Sequence, residues 1–132
     1  LHTRGDVGTR WDLHSTSLGK AILAALSDDE AREIMGRRGM PAHTRNTISA
    51  WEPMQAELAA IRQRGYALDL EENEPGVRCV AVAVADPLRD SVISCSASGP
   101  RERMPDERIP EIARCIQSAV QKLNHFGRED RA

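Results

Sequence analysis

Aromatic residues and an excess of basic charge are both scarce in this chain of 132 residues. Aromatic side chains make up only 3% of it, so the core must be aliphatic and the base-stacking platforms of single-strand binders are not available. Eighteen lysines and arginines stand against 20 aspartates and glutamates, a net charge of −2. Phosphate binding requires a clustered basic excess, and the composition therefore argues against a nucleic-acid surface.

Long apolar runs are also missing. The longest, residues 79–85, has seven residues, whereas a membrane-spanning helix needs about 20. The chain begins at Leu1 rather than at a methionine and shows no apolar signal segment. We therefore expect a cytoplasmic protein without membrane contact, present here as a fragment of something longer.

Cysteine is sparse, and the three residues Cys79, Cys95 and Cys115 have no C-x-x-C spacing. Buried free thiols in a reducing compartment are the simplest account of them. The four histidines are His2, His14, His43 and His125. They show no ligand spacing among themselves or with the cysteines. The sequence therefore predicts no metal site and no cofactor.

The sequence predicts four helices, three of which have the apolar spacing of amphipathic helices. The first begins near Ser15, and its predicted buried face consists of Leu18, Ile22, Ala25 and Leu26. Capping boxes at Ser27 and Ser49 open the second and third helices, and Gly65 is expected to end the third. The apolar stripe of the last helix consists of Ile109, Ile112, Ala113, Ile116, Val120 and Leu123.

Between the third and fourth helices the apolar period changes to two, which is typical of strands. Tyr66, Leu68 and Leu70 alternate with other residues in the first strand. Residues 79–85 alternate valine with cysteine or alanine, which indicates that both faces are covered. A turn at 86–90 leads to a returning strand at 92–98. Helices, then antiparallel strands, then a helix predict an α+β fold.

The returning strand carries Ser94, Ser96 and Ser98 on one face, where a central strand normally places apolar side chains. If the hairpin pairs Cys79 with Ser98 and Ala81 with Ser96, the small residues of both strands share that face. Such a floor leaves room for a small ligand with carboxylate or carbonyl oxygens. Close packing of a helix onto the small residues explains the same pattern.

Residues 15–20, Ser-Thr-Ser-Leu-Gly-Lys, stand at the start of the first predicted helix. Unpaired backbone N–H groups and the helix dipole attract anions to such an end, although N-capping by Ser15 or Thr16 explains the hydroxyls alone. Ser17 and Lys20 also match the S-x-x-K motif of serine acylases, without its companion motifs. A small serine-dependent hydrolase, with Ser17 as nucleophile and Lys20 as base, is therefore an alternative.

Four carboxylates fall within six residues, namely Asp69, Glu71, Glu72 and Glu74. Such a group could bind a hard cation, but a run of this kind more often forms a solvated loop. Asp69 differs from the others because strand alternation places it opposite the apolar residues of its strand. It could accept a ligand hydroxyl or cap a helix.

Four segments then form a recognisable series: LHSTSLGKA at 13–21, RGYALD at 64–69, EENEPGVRC at 71–79 and SASGP at 96–100. In this order and spacing they resemble the IclR family of bacterial transcription regulators. The resemblance covers nearly all of residues 13–123, and the glutamate-rich segment that ends in Gly-x-Arg-Cys is the most distinctive part.

The resemblance implies a GAF-like fold, a curved antiparallel sheet with helices packed on its faces. Residues 1–132 would then be most of an effector-binding domain, lacking the first strands and the winged helix-turn-helix that precedes the domain. The family's domains bind small organic acids or aromatic metabolites and form dimers or tetramers. DNA would be contacted only through the absent N-terminal domain.

Carried over by position, the resemblance places ligand binding at Ser17, Leu18, Asp69, Val77, Cys79, Ser96 and Ser98. We therefore expect a domain without catalytic activity that binds a carboxylate-bearing metabolite and forms a homo-oligomer. A structural dimerisation module, with its pocket filled by side chains, is a third interpretation.

Overall fold

The computed structural model describes residues 7–86 and 88–129, with side chains described as far as residue 123. In chain order its elements are α1 (Ser17–Ala25), α2 (Asp28–Arg38), α3 (Trp51–Arg64), β1 (Ala67–Leu70), β2 (Val77–Asp86), β3 (Ser91–Pro100) and α4 (Ile109–Glu129). Two short 3-10 turns, Arg101–Arg103 and Asp106–Arg108, connect β3 to α4. Within the described ranges, none of the helices has the length and apolarity needed to cross a membrane. The predicted α+β class is confirmed.

The three strands form one antiparallel sheet in the order β1-β2-β3. The predicted register of the hairpin is confirmed, and β1 extends it across the sheet. Directly paired residues point to the same side of a sheet. Two rows of small or polar residues therefore cross one face. These rows are Asp69–Cys79–Ser98 and Ala67–Ala81–Ser96.

Helices cover both faces of this sheet. On the face with the two rows, α1, α2 and α3 bury an aliphatic core against Ala67 and Ala81. On the opposite face, α4 packs against Val80 and Val82. The large side chains of β2 therefore face α4, and the small ones face α1, α2 and α3. The small side chains leave space beside α1.

Three of the predicted helix ends are confirmed. Thr16 is the N-cap of α1, and its Oγ1 accepts a hydrogen bond from Gly19 N at 3.1 Å. Ser27 caps α2 by accepting from the backbone N–H of the third helical residue. Gly65 ends α3 with a φ of 90°, the left-handed conformation that glycine adopts without strain.

The capping box predicted at Ser49 is wrong. The helix begins at Trp51, and the residue before it is Ala50, which makes no side-chain cap hydrogen bond. A methyl group cannot accept a hydrogen bond, so the first turn of α3 lacks this stabilisation.

The buried face predicted for α1 is also wrong. The buried residues of this helix are Ser17, Gly19, Lys20, Ala21, Leu23 and Ala24, whereas Ala25 is exposed and the other three predicted residues are half-buried. The face that packs into the protein contains a lysine, one leucine and four small residues. An apolar-periodicity argument cannot recognise such a face, because the lysine is accommodated only by an ion pair with a distant residue.

Two further predictions of burial need correction. Leu123 at the end of the α4 stripe is 67% exposed. Cys95 and Cys115 are exposed free thiols, and Cys79 is half-buried. Cys95 lies on the edge strand β3, and Cys115 lies on the solvent side of α4. Pro87 of the predicted turn, His2 and the side chain of His125 lie outside the described residues.

Candidate functional site

A pocket of about 340 Å³ opens between the start of α1 and the small-residue face of the sheet. Its lining consists of Trp11, Thr16, Ser17, Leu18, Asp69, Asn73, Glu74, Val77, Cys79, Ser96 and Ser98. All seven residues predicted from the sequence are among them. The fold therefore brings these residues together, and their binding of a ligand stays a prediction.

The floor of the pocket is the row of paired residues that crosses the three strands. Ser98 Oγ donates a hydrogen bond to Cys79 Sγ at 3.1 Å. Burial raises the pKa of the Cys79 thiol to about 11. A thiol is nucleophilic as its thiolate, so at neutral pH Cys79 offers the pocket a protonated, weakly polar group and not a nucleophile.

Asp69 is the buried carboxyl of the same row, with 3% of its surface exposed. Its Oδ1 accepts a hydrogen bond from Glu72 N at 2.8 Å. Burial raises the pKa of Asp69 to about 6, because an ionised carboxylate loses solvation when it leaves water. Asp69 therefore changes from acceptor to potential donor just below neutral pH.

A buried ion pair connects two of the segments that line the pocket. Lys20 on α1 has none of its surface exposed, and its Nζ donates to Glu72 Oε1 at 2.7 Å. Glu72 Oε2 in turn accepts from Leu70 N at 2.9 Å. These contacts fix α1 to the loop after β1, which supplies Asn73 and Glu74 to the lining.

The serine–lysine hydrolase finds no geometric support. A lysine acting as base must reach the serine hydroxyl that it deprotonates. Lys20 donates to Glu72 instead, and Glu57 Oε2 lies 3.7 Å from the same ammonium. Among the side chains that the structure describes, no hydrogen bond joins Ser17 to Lys20.

The start of α1 lines the pocket and has backbone donors that the cap does not satisfy. Thr16 satisfies Gly19 N through its hydroxyl and Lys20 N through its carbonyl. In the described part of the chain, the backbone N–H groups of Ser17 and Leu18 have no hydrogen-bond acceptor. Such groups, together with the helix dipole, favour an anionic ligand.

Sequence reasoning missed four residues of the lining: Trp11, Thr16, Asn73 and Glu74. The sequence predicts Thr16 only as a possible cap, and the loop at 71–74 only as a cation site or solvated segment. Asn73 Oδ1 accepts a hydrogen bond from Ser15 Oγ at 2.8 Å, a contact between residues 58 positions apart. Trp11 lies in a segment without periodicity, and no sequence signal marks it.

The sequence profile described as "Bacterial transcriptional regulator IclR C-terminal" matches residues 1–125. This chain belongs to the IclR family. The transcriptional repressor IclR of Escherichia coli (strain K12) is 32% identical to it over 117 residues, which are 89% of this chain and 43% of that protein. The chain therefore spans less than half the length of that relative.

Solved structures of IclR-family proteins have the same fold. The crystal structure of Thermotoga maritima IclR has a TM-score of 0.87 at 33% identity, and the match covers 94% of this chain and 50% of that one. The inducer-binding domain of a PobR double mutant from Acinetobacter, in complex with 3-hydroxybenzoic acid, has a TM-score of 0.81 at 25% identity, with coverage of 93% and 74%. The resemblance to the IclR family and the GAF-like fold class that it implied are confirmed.

Proposed function

We propose that this IclR-family domain binds a small organic acid in the pocket beside α1 and thereby regulates transcription. The observation that carries the proposal is the convergence of all seven predicted residues on one cavity of about 340 Å³. This volume lies at the lower end of the range for ligand sites and suits a ligand of few atoms. The match of PobR, described with a bound hydroxybenzoic acid, supports the same ligand class.

The carboxylate of the ligand is expected at the start of α1. Ser17 and Leu18 line this end of the pocket, and no lysine or arginine of the described residues lines it. Backbone dipoles must therefore stabilise the negative charge. The hydroxyls of Ser96 and Ser98 are then placed for a carbonyl or hydroxyl group of the ligand.

The acidic side chains of the pocket limit which acids fit. Asp69 and Glu74 both line it, and a second carboxylate on the ligand would meet their charge. The raised pKa of Asp69, about 6, lets this residue become a hydrogen-bond donor toward an anion as the pH falls. We therefore infer that a monocarboxylate binds better than a dicarboxylate.

Regulation follows if the ligand has different affinities for two arrangements of the protein. In this proposal residues 1–132 are most of an effector-binding domain that acts in the cytoplasm as a homo-oligomer. Occupancy of the pocket shifts how a winged helix-turn-helix outside this chain meets DNA. The domain itself needs no catalytic group, and Ser17 contributes its backbone N–H.

A thermal-shift screen with small keto acids, hydroxy acids, dicarboxylates and aromatic acids tests this function. A ligand at 100 times its Kd adds about 2.7 kcal/mol to the free energy of unfolding, which is a rise in Tm of several degrees. Ser96→Val, which removes a pocket hydroxyl and narrows the cavity, should abolish the shift. Ser91→Val makes the same change at an exposed position of the same strand and should retain it. No shift from any acid would instead favour a structural dimerisation module.

A further inference from the structure

We propose that Asp12, His14 and His43 form a binding site for a divalent transition-metal ion, with Zn²⁺ as the expected occupant. One ligand atom from each of these residues lies within 4.8 Å of the other two. The cluster lies outside the pocket lining, and the proposal does not depend on the proposed effector function. It revises the expectation of no metal site, which rested on histidine spacing along the sequence.

The three side chains already lie close to one another. His43 Nε2 lies 2.6 Å from Asp12 Oδ2. The rings of His14 and His43 are tilted by 32°, with their centroids 5.8 Å apart. A metal ion would replace the direct contact between Asp12 and His43, with His14 as the third ligand.

Neighbouring contacts orient these ligands as metal sites require. His14 is 1% exposed, and its Nε2 lies 2.8 Å from the carbonyl oxygen of Pro41. A carbonyl can only accept, so Nε2 carries the proton and Nδ1 keeps its lone pair for a metal. Ligating histidines commonly donate their other ring N–H to such an oxygen. Thr16 Oγ1 donates to the Asp12 carbonyl at 2.8 Å and holds that segment in place.

The donor set selects the class of metal. Two imidazoles and one carboxylate favour Zn²⁺ and related first-row ions over Mg²⁺ and Ca²⁺, which prefer oxygen ligands alone. Three protein ligands leave a coordination position for water. The Asp12 and His43 side chains are 47% and 36% exposed, so an ion can reach them from solvent while His14 forms the buried base.

Occupancy of this site would join two segments that border the pocket. Residues on either side of Asp12 and His14, namely Trp11 and Thr16, line the pocket. His43 lies in the loop between α2 and α3, and the neighbouring Thr44 Oγ1 donates to the Glu71 carbonyl at 2.6 Å. A bound ion would therefore brace the start of α1 against the loop after β1.

Titration calorimetry with ZnCl₂ tests the site in tag-free, chelator-treated protein. Cys95→Ser and Cys115→Ser are introduced first, because exposed thiols bind Zn²⁺ on their own. We expect one Zn²⁺ per chain and no heat from MgCl₂. Asp12→Asn and His43→Asn, both at partly exposed positions, should each weaken Zn²⁺ binding at least tenfold. Glu52→Gln, an exposed carboxylate elsewhere, should leave it unchanged.

The absorption spectrum of the Co²⁺ form identifies the ligands independently. Nitrogen and oxygen ligation predicts visible d–d bands without a thiolate charge-transfer band. Circular dichroism verifies that each variant is folded. If Asp12→Asn or His43→Asn fails to fold, the Zn²⁺ affinity of the remaining ligand variant tests the site. Three results would each overturn the proposal. They are the absence of Zn²⁺ binding, an unchanged Zn²⁺ affinity in a folded ligand variant, and a thiolate charge-transfer band, which would assign the metal to Cys79.

Discussion

Asp69 is the residue whose charge state most affects the pocket. Its carboxyl lies in the row Asp69–Cys79–Ser98 that forms the floor of the pocket, and Asp69 pairs with Cys79 between β1 and β2. Burial raises its pKa from 3.8 to about 6. Folding therefore makes this carboxyl bind its proton more tightly than it does in the unfolded chain.

The raised pKa of Asp69 makes the stability of the fold depend on pH. A carboxyl whose pKa is raised on folding contributes stability at acid pH, and this contribution is lost as the pH rises through about 6. At about 1.4 kcal/mol per unit, the loss between pH 4 and pH 7 amounts to about 3 kcal/mol at most. Asp69→Asn should remove this pH dependence, and the amide keeps an oxygen that accepts the hydrogen bond from Glu72 N.

Urea denaturation of both proteins from pH 4 to pH 7 measures this difference. The free energy of unfolding of the wild type should fall relative to that of Asp69→Asn as the pH rises. Asp29→Asn, at an exposed position of α2, should follow the wild type. Parallel curves for wild type and Asp69→Asn would show that Asp69 is not buried as described.

Thiol reactivity distinguishes Cys79 from the other two cysteines. Cys95 and Cys115 are exposed, whereas burial raises the pKa of Cys79 to about 11. Reaction with iodoacetamide at neutral pH, followed by peptide mass spectrometry, should modify Cys79 much more slowly than the other two. A Cys79 rate equal to theirs would contradict the structure of the floor.

At the scale of elements, the helix α1 is held by its buried polar contact. Lys20→Met leaves the Glu72 carboxylate without its partner, and breaking a buried pair in this way costs about 3–5 kcal/mol. The double variant Lys20→Met/Glu72→Gln should recover much of this loss, because no charge is then left unpaired. Chemical denaturation measures both values.

A matched surface variant separates this effect from a general loss of charge. Arg37 forms an i,i+4 pair with Glu33, and both side chains are more than 70% exposed. Arg37→Met should leave the stability nearly unchanged. If Lys20→Met costs no more than Arg37→Met, the ion pair does not hold α1 in place.

The strands were predictable from the sequence because their geometry is restrictive. An antiparallel register together with a period of two determines which side chains share a face. Pairing of Cys79 with Ser98 therefore sufficed to place the floor of the pocket. The orientation of α1 was not predictable, because its buried Lys20 depends on Glu72, 52 residues further along the chain.

At the scale of the whole molecule, the parts that sequence reasoning missed are joined by long-range contacts. Asp12 and His43 are 31 residues apart, and no local pattern announces that they meet. Trp11 reaches the pocket from a segment without periodicity. The family resemblance supplied the candidate residues, and the structure shows that the start of α1 and the three strands bring them to one cavity.

In the proposed complex an organic acid binds with its carboxylate at the start of α1. Two-dimensional ¹H–¹⁵N NMR of the chain, titrated with an acid found by the thermal-shift screen, tests it most directly. We expect the largest shifts at the amides of Ser17 and Leu18, with smaller ones at Cys79, Ser96 and Ser98, all saturating together. Shifts confined to α4, with Ser17 and Leu18 unchanged at saturation, would contradict it.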